Sequence, residues 1–335
     1  MKGIAGWTML ATCLAWCAVA GMTAEARAQE KIIIRVATYY AASHPVQQSL
    51  EFFKRNLEEE SGGRFAVQVY PNNQLGSEEV YTDLIKRGTI QMGVCGLLIK
   101  KDEAKTALAA PPLVIQTWKQ AEACFNGPIG RKIIGDYTRN TDIHIVGYMV
   151  NGFRNISSSY AIDAMPELQR LTIRVPEIEV FARLLKGFGC DAVMMPRSEV
   201  YNALETRAAA GQENSLSVLR ASGWHEVQGH VLMSRHMFAC SPVIVNGRFL
   251  GSIPASLRPV FDSNIRKAIA HNWMISREDE EASIAFLKEK GLSIVEPSPE
   301  FRHAMRDALE DFFAWYYKEI PGAQEIIAEM DALPK

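Results

Sequence analysis

Apolar residues along this chain follow two alternating patterns, short strand-like runs and longer stretches that recur every three to four residues. Residues 31–38 read as a first strand, and 45–60 as a helix whose Val46, Leu50, Phe53 and Leu57 share one face. Ser61-Gly62-Gly63 ends that helix, 65–70 is a second strand, and Pro71-Asn72-Asn73 is a turn. A second helix over 77–86 has Ser77 as its cap and Glu78 and Glu79 in its first turn; Gly88 closes it, and 90–94 is a third strand. After Ala110-Pro111-Pro112 the pattern gives a helix near 129–137, strands around 143–149 and 171–175, a helix over 177–187, a strand at 192–195 and a helix over 198–207.

This alternation predicts a mainly parallel sheet covered by helices, and its recurrence predicts a second lobe of the same α/β architecture. Residues 256–290 form one long helical stretch in which Leu257, Val260, Phe261, Ile265, Ile269 and Trp273 recur, long enough to brace both lobes. Residues 299–317 read as a final helix, and its aromatic cluster (Phe312, Phe313, Trp315, Tyr316, Tyr317) is assigned to packing. The expected division is a first lobe from 29–151 plus about 240–279 and a second from 152–239 plus about 280–335.

The N-terminus changes what counts as the folded chain. Met1-Lys2 is a short basic start, residues 4–22 are apolar, and Ala26-Arg27-Ala28 is the small-x-small pattern that a signal peptidase reads. The expectation is an exported protein with a cleavable leader, residues 1–28, cut after Ala28. No later apolar run is long enough to cross a bilayer, and the roughly 300 residues that follow are enough for two domains. A formal net charge of −2 supplies no basic field to attract nucleic acid. Cys13 and Cys17 leave with the leader; Cys95, Cys124, Cys190 and Cys240 are widely spaced, form no CxxC pair, and read as buried hydrophobes without an essential disulfide or a zinc site.

Enzyme signatures are missing: no G-x-S-x-G, no phosphate-binding G-x-x-x-x-G-K-[ST] and no strand-following G-x-G-x-x-G occurs, so no cofactor is expected. His225-Glu226-Val227-Gln228-Gly229-His230 mimics a metalloprotease motif, but histidines five apart do not share a helix face. Three segments put polar groups where strands are expected to end: Gly152-Phe153-Arg154-Asn155, Leu171-Thr172-Ile173-Arg174-Val175-Pro176 and Gly211-Gln212-Glu213-Asn214. Arg174 stands out, because it follows Leu171 and Ile173 at a strand end that Pro176 turns toward a helix. Open α/β sheets bind ligands outside the carboxyl ends of their strands, and a guanidinium there can grip a carboxylate through two parallel hydrogen bonds.

These segments are also where the chain resembles the DctP-type solute-binding subunits of tripartite ATP-independent periplasmic (TRAP) transporters. The resemblance covers nearly all of the chain after the leader: Gly62-Gly63-Arg64, Gln74-Leu75-Gly76, Arg154 in a G-x-R, Ile173-Arg174-Val175-Pro176, Glu199 through Leu204, Gly211-Gln212-Glu213-Asn214, Glu226-Val227-Gln228, and Val245-Asn246 leading to Ile253-Pro254. It implies a periplasmic binding protein of type II-like fold that closes on a small organic acid anion and delivers it to small and large membrane subunits. It further implies that Arg174 pairs with the substrate carboxylate, that Asn214 hydrogen-bonds nearby, and that Arg154 lines the same pocket.

The chain departs from the family pattern at two places. Ala209-Ala210-Gly211 replaces an aspartate that usually precedes the glycine, and Arg197 stands where an aromatic is common, so it could meet a second carboxylate or a hydroxyl-rich acid. From the first lobe, Tyr39 or Tyr40 is a candidate pocket wall, with His44 in the same loop after the first strand; Gln74 and Glu79 flank the next helix, and Gln74 is a further candidate substrate contact. A monocarboxylic oxo- or hydroxy-acid, a dicarboxylate and a sugar acid all fit one arginine. The competing functions are an exported receptor for a sensor kinase and a periplasmic enzyme acting on a carboxylic acid.

Overall fold

A parallel strand pair needs a helical crossover, and the chain supplies one after each short strand on both sides of its sheet. The computed structural model describes residues 30–96, 104–134, 137 and 141–334; the leader call, with Cys13 and Cys17, lies outside them. Nine strands are formed among the described residues: β1 (Ile32–Thr38), β2 (Phe65–Tyr70), β3 (Met92–Val94), β4 (Ile143–Ser158), β5 (Thr172–Val175), β6 (Asp191–Met194), β7 (Gly211–Ser215), β8 (His230–Asn246) and β9 (Ser293–Val295). They make one sheet in the order β2-β1-β3-β8-β4-β7-β5-β6, with β9 beside β8.

The sheet is mixed, which corrects the expectation of a mainly parallel one. β1, β2 and β3 form one parallel wing, and β5, β6 and β7 another. Between them β4 and β8 run antiparallel along almost their whole length. Each belongs to both wings: β8 pairs with β3 through Val243–Val245, whereas β4 pairs with β7 through Arg154–Ser158. The two lobes are therefore joined by continuous strands. Register shifts interrupt the β4–β8 ladder, one of them at Gly152, whose φ of +95° a side chain would resist.

The Pro45–Glu60 helix buries Val46, Leu50, Phe53 and Leu57 completely, the face its spacing predicts. It lies along the Arg258–Glu289 helix, about 48 Å of continuous helix, through Phe53 on Phe261 and Phe52 on His271. The same long helix holds β4, where Asn272 Oδ1 accepts from Val150 N at 2.6 Å and Trp273 Nε1 donates to Tyr148 O at 3.0 Å. Further on, Asp279 takes Arg220 and Ser217 of the Leu216–Ala221 helix. It thus braces both wings and the strands between them.

Two other expectations change. Gly152 through Asn155 is not a strand end but the interior of β4. The single helix over 299–317 is two, Pro299–Asp307 and Glu310–Glu319, followed by Ala323–Asp331. The chain breaks at Leu309, which turns fully into the core against Gly187. Phe312 and Tyr316 are buried there too, so the aromatic cluster packs. The four cysteines among the described residues are buried, with no disulfide among them. Among those residues no helix is long and apolar enough to cross a membrane.

Candidate functional site

Strand ends of both wings open onto one cavity of about 400 Å³, with Tyr39, Asn73 and Glu78 on the first side and Arg154, Arg174, Arg197 and Asn214 on the second. That volume lies at the small end of ligand pockets, roughly 300–1,000 Å³.

Arg174 occupies β5 between the fully buried Ile173 and Val175 and is itself only 3% exposed. Its Nε and Nη2 donate to the carbonyl of Met195 at 3.0 and 2.6 Å, which fixes the plane of the guanidinium. Among the described residues it has no carboxylate partner. Burial, reinforced by the charges of Arg154 and Arg197, pulls its pKa down to about 10 against the opposing field of Glu213. A cation held this way gains from an incoming anion.

Arg154 is different. Its Nε and Nη2 fork onto the Glu213 carboxylate at 2.5 and 2.6 Å, its Nη1 reaches Asn214 Oδ1 at 3.2 Å, and its guanidinium covers the Phe181 ring at 4.7 Å. Glu213 also faces His236 Nε2 at 3.1 Å, and His236 Nδ1 meets Ser234 Oγ at 2.9 Å. Burial alone would raise the Glu213 pKa, but Arg154 and His236 hold it below the usual carboxylate range. Arg154 is thus neutralised from behind.

That pairing orients Asn214. Its Oδ1 accepts from Ser215 N at 3.0 Å, Arg154 Nη1 at 3.2 Å and Asn151 Nδ2 at 3.4 Å. Because an arginine can only donate, the amide is turned with its oxygen inward, leaving Nδ2 as the outward donor. The departure at Ala209-Ala210 is absorbed by backbone pairing: Ala210 N donates to Thr172 O and its carbonyl accepts from Ser159 N. Gly211 comes so close to Ser157 O that a Cβ would not fit.

Arg197 follows β6 and Met195-Pro196. Its Nη2 donates to Ser222 Oγ at 2.7 Å, and the guanidinium lies 5.3 Å from the Trp224 ring centre and 5.8 Å from that of Tyr39. It too has no carboxylate partner among the described residues. Tyr39 donates to Tyr40 Oη at 2.8 Å, which is 2.6 Å from Ser241 Oγ. Burial and the nearby Glu78 push the Tyr39 phenol up to about 12, so it stays protonated.

Five of the six sequence candidates, Arg174, Arg154, Asn214, Arg197 and Tyr39, meet around the cavity. Gln74 does not: it is exposed in the turn after β2, its N–H bonded to Pro71 O, and it is not among the lining residues. Glu79 lines the cavity, whereas Tyr40 and His44 stack behind Tyr39, ring centres 4.2 Å apart in each pair. Sequence reasoning missed Asn151 and Ser241 on the long strands, and Glu78, whose Oε1 accepts from Gly96 N at 2.6 Å. The glutamate doublet after Ser77 was a signal, but one that helix capping already accounted for.

Residues 36–319 match the family model described as bacterial extracellular solute-binding protein, family 7, DctP. A solute-binding protein of Verminephrobacter eiseniae is 27% identical over 275 residues, 82% of this chain and 81% of that one. The 2,3-diketo-L-gulonate-binding periplasmic protein of Escherichia coli is 23% identical over 298 residues, 87% and 90% of the two chains. Among solved structures, a TRAP periplasmic solute-binding protein of Haemophilus influenzae with bound L-gulonate superposes with a TM-score of 0.84 at 27% identity, covering 89% of this chain and 98% of that one. With its two-winged α/β sheet and this near full-length match, the chain belongs to the DctP family of TRAP-type solute-binding proteins.

Proposed function

We propose that this protein captures a small organic carboxylate in the cleft, gripping it through Arg174, and hands it to TRAP-type membrane subunits from the periplasm after a leader has been cut at Ala28. The observation that carries the reading is the Arg174 guanidinium: 3% exposed, fixed by Met195 O, and without a carboxylate partner among the described residues. A buried cation without a counter-ion is costly, and a ligand carboxylate returns that cost as binding energy. L-gulonate in the Haemophilus influenzae structure supports an acid of this kind as cargo.

In this reading Arg154 serves Asn214 rather than the ligand charge, since Glu213 already neutralises it. Asn214 donates through Nδ2, while Arg197 and Tyr39 close the far side. Gln74, outside the cavity, belongs to the turn that carries Asn73 and is not a contact. The lobes, 29–151 with about 240–279 and 152–239 with about 280–335, close by bending through β4 and β8. A ligand bridging both walls binds the closed form better than the open one, and that difference shifts the population. The binding energy moves a hinge; among the described residues lining the cleft no nucleophile is paired with a base.

The test is Arg174→Ala, titrated calorimetrically against whichever acid raises the melting temperature of the wild type most in a screen of organic acids. Losing a buried charge-assisted pair costs on the order of 2–5 kcal/mol. Near-normal affinity in the variant sinks the assignment.

A further inference from the structure

Behind the cleft, β8 steps out of its ladder with β4. Arg154 lies opposite Met237 and Ile156 opposite Leu232, so Met233, Ser234, Arg235 and His236 are all set against Asn155 alone. A bulge of that size withdraws main-chain groups from their ladder partners, and buried main-chain groups need replacements. The side chain of Asn155, 1% exposed, supplies them. Its Oδ1 accepts from Arg235 N at 3.0 Å, and its Nδ2 donates to Phe153 O at 3.2 Å. A main-chain N–H only donates and a carbonyl only accepts, so this amide can take just one orientation.

The bulge it holds is tightly specified. Arg235 sits at φ 41°, a conformation that a side chain resists, and its guanidinium turns out to Glu296 at 3.2 Å. The next residue, His236, turns in and is fully buried, its carbonyl accepting from Leu113 N at 2.9 Å and its Nε2 lying 3.1 Å from the Glu213 carboxylate. An ionised carboxylate only accepts, so Nε2 carries the proton and the Ser234 hydroxyl donates to Nδ1. On its other edge, Asn155 lies directly opposite Asn214 of β7. One residue thus stands between the bulge that delivers His236 and the strand that carries Glu213 and Asn214.

We infer that Asn155, which does not line the cavity, is a positioning residue of the binding site. It pegs the β8 bulge in the register that brings His236 against Glu213, and through Glu213 and Arg154 it sets the amide of Asn214. The inference rests on the carboxylate reading above, in which Asn214 donates to the ligand.

The experiment compares the mature wild-type chain with Asn155→Ala, with His236→Phe, which keeps a ring against Phe188, and with the double variant, each titrated calorimetrically with L-gulonate and with succinate. Each single variant should bind roughly 10-fold more weakly than the wild type. The double should be no weaker than the weaker single, because both residues act through one contact. Losses that multiply to about 100-fold in the double are what general loosening of the fold gives, and they overturn the inference.

The second readout needs no ligand: nitrogen-15 NMR of the histidine-labelled chain, with the His236 signals identified by their loss in His236→Phe. In the wild type the ring should be neutral with its proton on Nε2. Burial holds its pKa below the ordinary value, and the charged groups facing it are Glu213 from β7 and Arg154 from β4. In Asn155→Ala the bulge relaxes, the pKa should move up toward about 6.5, and the single tautomer should be lost. Asn155→Ser, whose hydroxyl is too short to span both main-chain groups, gives the same readouts if the alanine variant does not fold. A His236 signal unchanged in titration and tautomer overturns the inference whatever the affinities do. If neither acid binds the wild type, it is the carboxylate reading that loses its support, and the histidine spectrum still decides whether Asn155 holds His236.

Discussion

Replacing Glu213 by glutamine removes one charge and almost no volume, yet it should be among the most damaging single changes in the protein. The carboxylate is fully buried and takes Arg154 Nε and His236 Nε2 on one oxygen and Arg154 Nη2 on the other. Whichever way the new amide turns, its NH₂ faces an N–H of Arg154, and the guanidinium is left as a buried cation with no counter-ion. Breaking a buried pair from one side costs about 3–5 kcal/mol, a large share of a typical folding free energy of about 5–15 kcal/mol. The melting temperature should fall by roughly 10 °C. The informative comparison is with the double variant Arg154→Met, Glu213→Gln, which removes the stranded charge. Calorimetric melting of the wild type and both variants should show the double recovering more than half of the lost stability. Its ligand affinity stays low, because Asn214 has lost the donor that orients it. A double variant no more stable than Glu213→Gln alone would refute the argument that an uncompensated guanidinium is the source of the loss.

Two further outcomes follow from the same geometry. His44 and His236 are fully buried or nearly so, and burial lowers both pKa values; Arg197 and Arg220 add to the effect at His44, while the bond to Glu213 only partly opposes it at His236. Their folded pKa values lie below the unfolded one of about 6.5, so below that pH the unfolded chain binds protons that the folded chain refuses. Stability should therefore fall as the pH drops below about 6.5, by at most ~1.4 kcal/mol per pH unit for each histidine, measurable as urea midpoints at pH 7.5, 6.5 and 5.5; a flat profile would contradict it. Gly211→Ala drives a methyl group into Ser157 O and pushes β7 from β4. Overpacking of this kind costs about 1–3 kcal/mol, and because Asn214 rides on β7, ligand affinity should drop with the stability; unchanged affinity would show that the strand's position is not critical.

Where one physical signal dominated, the sequence was readable. The Pro45–Glu60 helix and β2 appear with the bounds their periodicity and flanking turns predict. The place of Arg174 on the cavity wall was legible because it follows Leu171 and Ile173 near a strand end that Pro176 turns. β8 was not. Its seventeen residues are buried along both faces and include Ser234, His236, Ser241 and Pro242, so neither strict alternation nor a clean apolar run marks them. Missing β8 also hid the true extent of β4, and with it the fact that Arg154 sits mid-strand beside Glu213. That pair is 59 positions apart in the chain, and nothing local announces it. Glu78 and Glu79 look alike in sequence; only the fold brings Gly96 N to one of them.

The long strands that join the wings also constrain how the molecule comes into being. β3 lies beside β8, with Val94 opposite Val243, so the first wing cannot finish its sheet until about 150 further residues have arrived. The first wing is not contiguous in the chain, since its β3 edge is completed by the Val243–Val245 part of β8. A polypeptide emerging N-terminus first must carry its opening βαβ unit with one edge unsatisfied for most of its synthesis. The topology that ties the two wings together thus also keeps the chain from completing its fold until most of it has been made.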